Sequence, residues 1–161
     1  MTPEDIQKRR DDSKERQAEA DREAKAAVEM TKQLQEVRDE EMELLLIRAE
    51  ANKIIAKSRL MAEDNTLSNK KRAEALRIAI AEEERVADIE IETQKKKVEA
   101  LQLFIDQAES SEEEERQLRE EKAKLIELET ASLLRQKRVK TELKRFETAA
   151  AAKKHRQNLI K

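Results

Sequence analysis

The chain of 161 residues contains no glycine, cysteine, tryptophan or tyrosine, and only one proline and two phenylalanines. Without cysteine there are no disulfides, thiolate metal ligands or cysteine nucleophiles. Without glycine there are none of the glycine-rich loops that cradle nucleotide phosphates. An ordinary globular domain also needs glycine at turns and more aromatic residues in its core. The composition therefore excludes nucleotide-hydrolysing motifs, dinucleotide-binding motifs and an ordinary globular fold.

Long apolar runs are also lacking. The longest continuous run, Leu44 to Ile47, has four residues, whereas a membrane-spanning helix needs roughly 18 or more. No stretch resembles a secretory signal. We expect no membrane partner.

Charged residues and strong helix formers dominate what is present. The chain has 35 Lys+Arg and 37 Asp+Glu with a net charge of −2, and Ala, Glu, Lys, Leu and Arg supply 102 of its 161 residues. This exceeds the roughly 50% that is typical of long helices and coiled coils. The composition predicts an all-α fold, an elongated coiled coil of two or three long helices with no β structure.

Capping residues divide the chain into segments. Thr2 and Pro3, followed by two acids, predict a helix start, and the turn formers at 64–68 predict a break with Ser68 as the next N-cap. Two S-x-x-E capping boxes, Ser110 to Glu113 and Ser111 to Glu114, suggest a further break at 109–111. The alternative is a helix that continues through both serines. The expected segments are a charged, weakly ordered helical segment at 1–26, a coiled-coil helix at 27–63, a break at 64–68, a second coiled-coil helix at 69–109, and a third helix with a basic tail at 110–161.

Apolar residues recur at steps of three and four, which keeps one stripe of a helix facing a partner. Isolated helices gain little stability from propensity alone, so we expect a homo-oligomer whose chains pack through this stripe. The residues expected to form the packing contacts are Met30, Leu34, Val37, Leu44, Leu76, Ile80, Leu101 and Phe104.

Groups that could support catalysis are scarce. His155 is the only histidine and lies among Lys153, Lys154 and Arg156, which excludes a multi-histidine metal site within one chain and favours a solvated tail residue. The acids at 112–115 are typical of a helix start, although weak binding of a divalent cation is an alternative. A narrow coiled-coil core provides no concave pocket. We therefore expect no enzyme activity, no cofactor and no catalytic, cofactor-binding or metal-binding residue.

The C-terminal stretch at 135–161 is basic, with ten Lys/Arg and two Glu. These cations either complement the helix dipole and an acidic neighbour, or hold the phosphates of a nucleic acid. Nucleic acid is the less favoured partner, because only Phe146 is available for base stacking. The cations proposed for such contacts are Arg135, Lys137, Arg138, Lys140, Lys144, Arg145, Lys153, Lys154 and Arg156.

The stretch from Leu60 to Leu76, followed by Arg77 to Arg85, resembles helical regions of phage tail tape measure proteins. In these, a helix ends in an acidic turn containing Thr or Ser, and the next helix opens with charged residues and an Ala/Leu stripe. The resemblance implies a structural role as an oligomeric helical rod that fills the tail tube and sets its length. It also implies tail tube and tail-tip proteins as partners, and a place in the virion after assembly in the host cytoplasm. The alternative is a cytoplasmic scaffolding or nucleic-acid-binding coiled-coil protein.

Overall fold

A computed structural model of the chain describes residues 1–108 and 111–160, and these residues form three helices. They are α1 (Pro3–Glu63), α2 (Asn69–Gln107) and α3 (Glu112–Ile160), and the described residues include no strand. The predicted all-α fold is confirmed. α1 contains nearly all of the charged segment expected at 1–26 and the whole of the helix expected at 27–63.

At the N-termini of α1 and α3, the N-cap residue and the residue three positions later exchange hydrogen bonds. At α1, the amide of Asp5 donates to Thr2 Oγ1 at 3.2 Å, and the amide of Thr2 donates to Asp5 Oδ2 at 3.1 Å. At α3, the amide of Ser111 donates to Glu114 Oε2 at 3.1 Å. Ala108 and Ser111 are not helical, so the alternative of one continuous helix is wrong. The other proposed box, at Ser110, lies outside the described residues.

The turn at 64–68 is held by side chains in a chain that has no glycine for the purpose. Asp64 Oδ1 accepts hydrogen bonds from the amide of Thr66 at 2.9 Å and from its hydroxyl at 2.6 Å. These bonds, from the hydroxyl first and the amide second, hold the pKa of Asp64 below its ordinary value. Arg72 Nε donates to the carbonyl of Ala62 at 2.8 Å, which satisfies an orphan acceptor at the end of α1. Polar side chains thus replace the usual glycine C-cap.

The helices contribute to two compact units. The first unit contains residues 1–40 and the described part of 93–124, and the second contains residues 41–92 and 125–160. In the first unit, α1 and α2 are joined by an ion pair of 2.7 Å between Glu40 and Lys96. Its buried apolar residues are Ala26, Val37, Ala100, Leu101 and Leu118.

The second unit has α2 antiparallel to both of the other helices. Arg48 pairs with Glu90 and Arg59 with Glu83, so later residues of α1 meet earlier residues of α2. The core consists of Leu76 and Ile80 from α2 and Val139 from α3, with partly buried apolar side chains packed around it. The surrounding side chains are Ala62, Leu143 and Phe146.

Candidate interaction surfaces

The apolar stripe predicted to pack between chains is covered within one chain. Five of its eight residues are buried and the other three, Met30, Leu34 and Phe104, are half-buried. The five buried members are Val37, Leu44, Leu76, Ile80 and Leu101. The turn at 64–68 reverses the chain, which allows one molecule to supply its own partner helices. Contacts between molecules therefore need an additional surface.

The first unit contains a buried carboxylate, Glu121, which was not among the residues predicted from the sequence. Gln94 Nε2 donates to Glu121 Oε2 at 2.7 Å and to the Glu121 carbonyl at 2.9 Å. Oε1 lies 3.4 Å from Lys97 Nζ and 3.3 Å from Lys124 Nζ. Burial alone raises the pKa of Glu121, but the Gln94 hydrogen bond and the two ammonium groups together hold it below its ordinary value.

The spacing of apolar residues around Glu121 could have indicated that this carboxylate is buried. Leu118, Glu121 and Leu125 follow one another at steps of three and four, which is the spacing of a packed stripe. A carboxylate inside such a stripe loses its contact with water when the stripe packs. It therefore needs hydrogen-bonding or charged partners to offset the cost of burial. Gln94 and Lys97 come from α2, whose alignment with α3 is a property of the folded chain, whereas Lys124 lies three residues along α3 itself.

Arg59 joins the three helices of the second unit. Its Nη2 donates to Glu83 Oε1 at 2.8 Å, its Nε donates to the same oxygen at 3.1 Å, and its Nη1 donates to Glu142 Oε1 at 2.9 Å. Hydrogen bonds to Glu142 and then to Glu83 raise the pKa of Arg59 above its ordinary value. The guanidinium fork allows one α1 side chain to hold α2 and α3 at once.

The expectation that a narrow helical core has no concave pocket is not met, because a groove of about 780 Å³ lies beside Arg59 in the second unit, and we call it the basic groove. It brings together three of the cations proposed for anion contact, Lys137, Arg138 and Arg145, with cations from α1 and α2. Apolar side chains and two carboxylates also line it. The remaining lining residues are Arg59, Ala62, Glu63, Arg72, Leu76, Leu134, Thr141, Glu142 and Phe146.

The other proposed basic residues do not line this groove. Arg135 is half-buried, whereas the remaining five are exposed on α3. These five are Lys140, Lys144, Lys153, Lys154 and Arg156. Phe146, the side chain considered for base stacking, already has the Arg72 guanidinium 5.4 Å from its ring centroid.

A second apolar stripe on α1 is uncovered. Met42, Leu45, Leu46 and Leu60 are 64–70% exposed, although all are large apolar side chains. Met42 and Leu46, two residues to either side of the buried Leu44, lie on the opposite side of α1, because a helix turns by about 100° per residue. Leu60, sixteen residues beyond Leu44, lies on that same opposite side, whereas Leu45 lies on the flank between the two faces. The packing residues expected on α1 from the sequence all belong to the covered stripe, so this exposed stripe is a second one.

Other kinds of site receive less support from the described residues. His155 is exposed on α3, as expected for a solvated residue. Within residues 1–108 and 111–160, no three His, Asp or Glu side chains are grouped so that they could hold a metal ion. No helix of that described part is long and apolar enough to cross a bilayer. Comparison with models of protein families, with curated proteins and with solved structures finds no match to this chain.

Proposed function

We propose that this chain is a structural protein that self-associates through helix packing, as a coiled coil of long helices, and carries out no catalysis. The observation that carries the proposal is the exposed apolar stripe of α1, on a chain whose other stripe is already buried. Large exposed apolar side chains arranged contiguously are typical of interaction surfaces. The three-and-four spacing of both stripes supports coiled-coil packing.

The polar clusters around Glu121 and Arg59 also support a structural role. Glu121 and Arg59 both lie between helices, and each is bonded to groups of opposite charge or to an amide. A catalytic acid or base needs a pKa tuned toward the working pH and access to a substrate. The pKa of Glu121 is instead lowered, away from neutrality, which suits an ion-paired structural group.

Sedimentation tests the self-association directly. We expect the weight-average mass of the full chain to rise from monomer toward dimer or higher as its concentration is raised roughly a hundredfold. Circular dichroism on the same samples should show a predominantly helical chain throughout. A mass that stays monomeric across this range contradicts the proposed function.

We further propose the interior of a phage tail as the setting, with a tape-measure-like role. The support is the resemblance of residues 60–85, which include the acidic turn at 64–68 and the opening of α2. The mixed charges on the surface also suit a rod that must later leave a tube, since exposed ion pairs contribute only about 0 to 1 kcal/mol each. Tail tube and tail-tip proteins are the proposed partners.

Imaging of phage particles tests the setting. In a phage whose genome encodes this chain, a small tag fused to it should appear as density inside the tail tube of intact particles. Mass spectrometry of purified tails should find the chain in fixed proportion to the tube protein. Its absence from purified tails refutes the virion setting, while sedimentation tests self-association separately.

The basic groove favours a second candidate function, the binding of nucleic acid. Lys137, Arg138 and Arg145 converge there, and phosphate contacts need cations gathered on one surface. If the groove binds duplex DNA, Lys137→Glu with Arg138→Glu should abolish binding, and raising the salt concentration should weaken it steeply. The matched control is Lys153→Glu with Lys154→Glu, which makes the same charge change on α3 outside the groove. Equal losses in both variants contradict a specific role for the groove.

A further inference from the structure

Three residues of the exposed stripe, Met42, Leu46 and Leu60, belong to a strict heptad pattern between residues 42 and 60, and Leu45 lies beside it. Its members recur at steps of four, three, four, three and four, and every one is exposed. They are Met42, Leu46, Ala49, Lys53, Ala56 and Leu60, and we call them the outer seam. Alternating steps of three and four keep a seam in contact with one partner helix over its whole length.

The opposite face of the same helix explains why the outer seam is distinct. Leu44, Ala51 and Ser58 recur every seven residues and are all buried in the second unit. Seven residues are almost two helical turns, so these three side chains share one inner face of α1, and that face is covered along the segment. A second heptad seam of the same register therefore remains for a partner outside the chain.

We propose that the outer seam pairs with the outer seam of a second copy of this chain, with the two α1 helices antiparallel. This inference rests on the proposed self-association and names the surface and direction through which it occurs. The second copy is the occupant that the residues themselves favour, because the seam is complementary to itself in one direction only.

Lys53 decides the direction. In a parallel pair, the two copies of Lys53 would face each other in the seam, and burying like charges side by side is costly. In an antiparallel pair centred on residue 51, Lys53 faces Ala49 of the second copy. The small alanine leaves room for the lysine stem to cross it while the ammonium group stays in water.

Side-chain sizes agree with the antiparallel direction. Leu46 then faces Ala56 of the second copy, so that at this inner position a large side chain lies against a small one. At both ends of the seam, Met42 faces Leu60 of the second copy. Large and small residues that interdigitate in this way fill the space between two helices without voids.

Charges beside the seam also agree. Glu43, Glu50 and Lys57 occupy the same flank at seven-residue intervals, and all three are exposed. In the antiparallel pair, Glu43 lies beside Lys57 of the second copy, and this contact occurs twice by symmetry. Glu50 meets its own copy once near the axis, so two attractive contacts oppose one repulsive contact.

Leu46→Asp tests the surface by sedimentation equilibrium. Because symmetry counts each change twice, we expect the dimer Kd to rise at least roughly 100-fold. The matched control is Ile126→Asp, an equally exposed apolar residue on α3, which should leave the Kd unchanged. A wild-type chain that stays monomeric refutes both this inference and the proposed function. A wild-type chain that associates only as tightly as Leu46→Asp refutes the outer seam alone.

Charge exchange tests the pairing without removing any apolar contact. Glu43→Lys and Lys57→Glu should each raise the dimer Kd by roughly three- to thirtyfold, because each converts two attractive contacts into repulsive ones. The double variant restores opposite charges and should return the Kd close to that of the wild type. Additive weakening in the double variant overturns the pairing.

Cysteine cross-linking tests the direction, since the chain has no cysteine of its own. Under mild oxidation, Glu50→Cys should give a disulfide-linked dimer, because residue 50 meets its own copy near the axis. Glu43→Cys, on the same flank and also exposed, should give little dimer alone and much more when mixed with Lys57→Cys. Equal yields from the single variants at positions 43 and 50 overturn the antiparallel arrangement.

Discussion

Replacing Glu121 by glutamine removes the charge from the buried carboxylate and preserves its shape. The Glu121 side chain is only 7% exposed, and its carboxylate interacts with an amide and two ammonium groups. The oxygen of the introduced amide can still accept a hydrogen bond from Gln94 Nε2. The variant therefore loses the charge-dependent part of the interactions at this site.

The structure limits the size of the effect. A hydrogen bond to a charged group contributes about 1.5–3 kcal/mol, against about 0.5–1.5 kcal/mol for a neutral one. The Lys124 side chain is 59% exposed, so its ion pair adds only about 0–1 kcal/mol, and the more buried Lys97 adds somewhat more. We expect Glu121→Gln to lower the free energy of unfolding by about 1–3 kcal/mol at neutral pH.

The dependence on pH has a definite sign. The pKa of Glu121 in the folded chain lies below its ordinary value of 4.5, so the unfolded chain takes up the proton first as the pH falls. The stability contributed by the carboxylate is complete well above pH 4.5 and disappears as the pH falls through the folded pKa. Because glutamine does not titrate, the difference between wild type and variant should shrink over the same range.

Urea unfolding followed by far-ultraviolet circular dichroism measures this difference. Both proteins are compared at one concentration, at pH 7 and at successively lower pH, so that self-association contributes equally. Glu120→Gln, an exposed neighbour on the same helix, is the matched control and should change the midpoint little. Equal midpoints for wild type and Glu121→Gln at pH 7, or a difference that persists unchanged near pH 3, would refute the reasoning.

Three other substitutions probe the second unit and the turn. Leu76→Ala empties part of the buried cluster and should cost about 2–5 kcal/mol in urea unfolding, whereas Leu60→Ala, on the exposed face, should cost less than about 0.5 kcal/mol in the monomer. Arg59→Met should lower the free energy of unfolding by about 1–3 kcal/mol. A double-mutant cycle with Glu83→Gln should show coupling between the two residues, which are 2.8 Å apart, and simple additivity would argue against this ion pair as a stabilising contact. Ser68→Ala removes the N-cap of α2 and should lower the urea midpoint by an amount equivalent to about 0.5–1 kcal/mol, with no change counting against the cap.

The helical part of the fold could be predicted from the sequence because its causes are local. Helix propensity and the absence of glycine act within a few residues of the chain. The cap at Thr2 and the turn formers around Asp64 act over similar distances. These features are enough to locate the start of α1 and the segment that separates it from α2.

The pairing of helices depended on residues far apart in the sequence. The spacing identified Leu44 and Leu76 as apolar stripe residues, but it assigned them to contacts between molecules. The spacing also did not indicate that Leu44 lies on a buried face of α1 and Leu46 on an exposed one. Both faces have the periodicity of a packed seam, and periodicity does not specify which partner covers which face.

The candidate sites show the same division. The basic character of 135–161 was evident from composition, but only the folded chain brought Lys137 and Arg138 into a groove with Arg72. Glu121 likewise became a buried ion-paired group only when α2 placed Gln94 against it. The sequence by itself determined where helices form, since helix formation is governed by neighbours along the chain. The tertiary structure decided which faces are buried and which charges meet, because those contacts join residues whose distance is set by the alignment of whole helices.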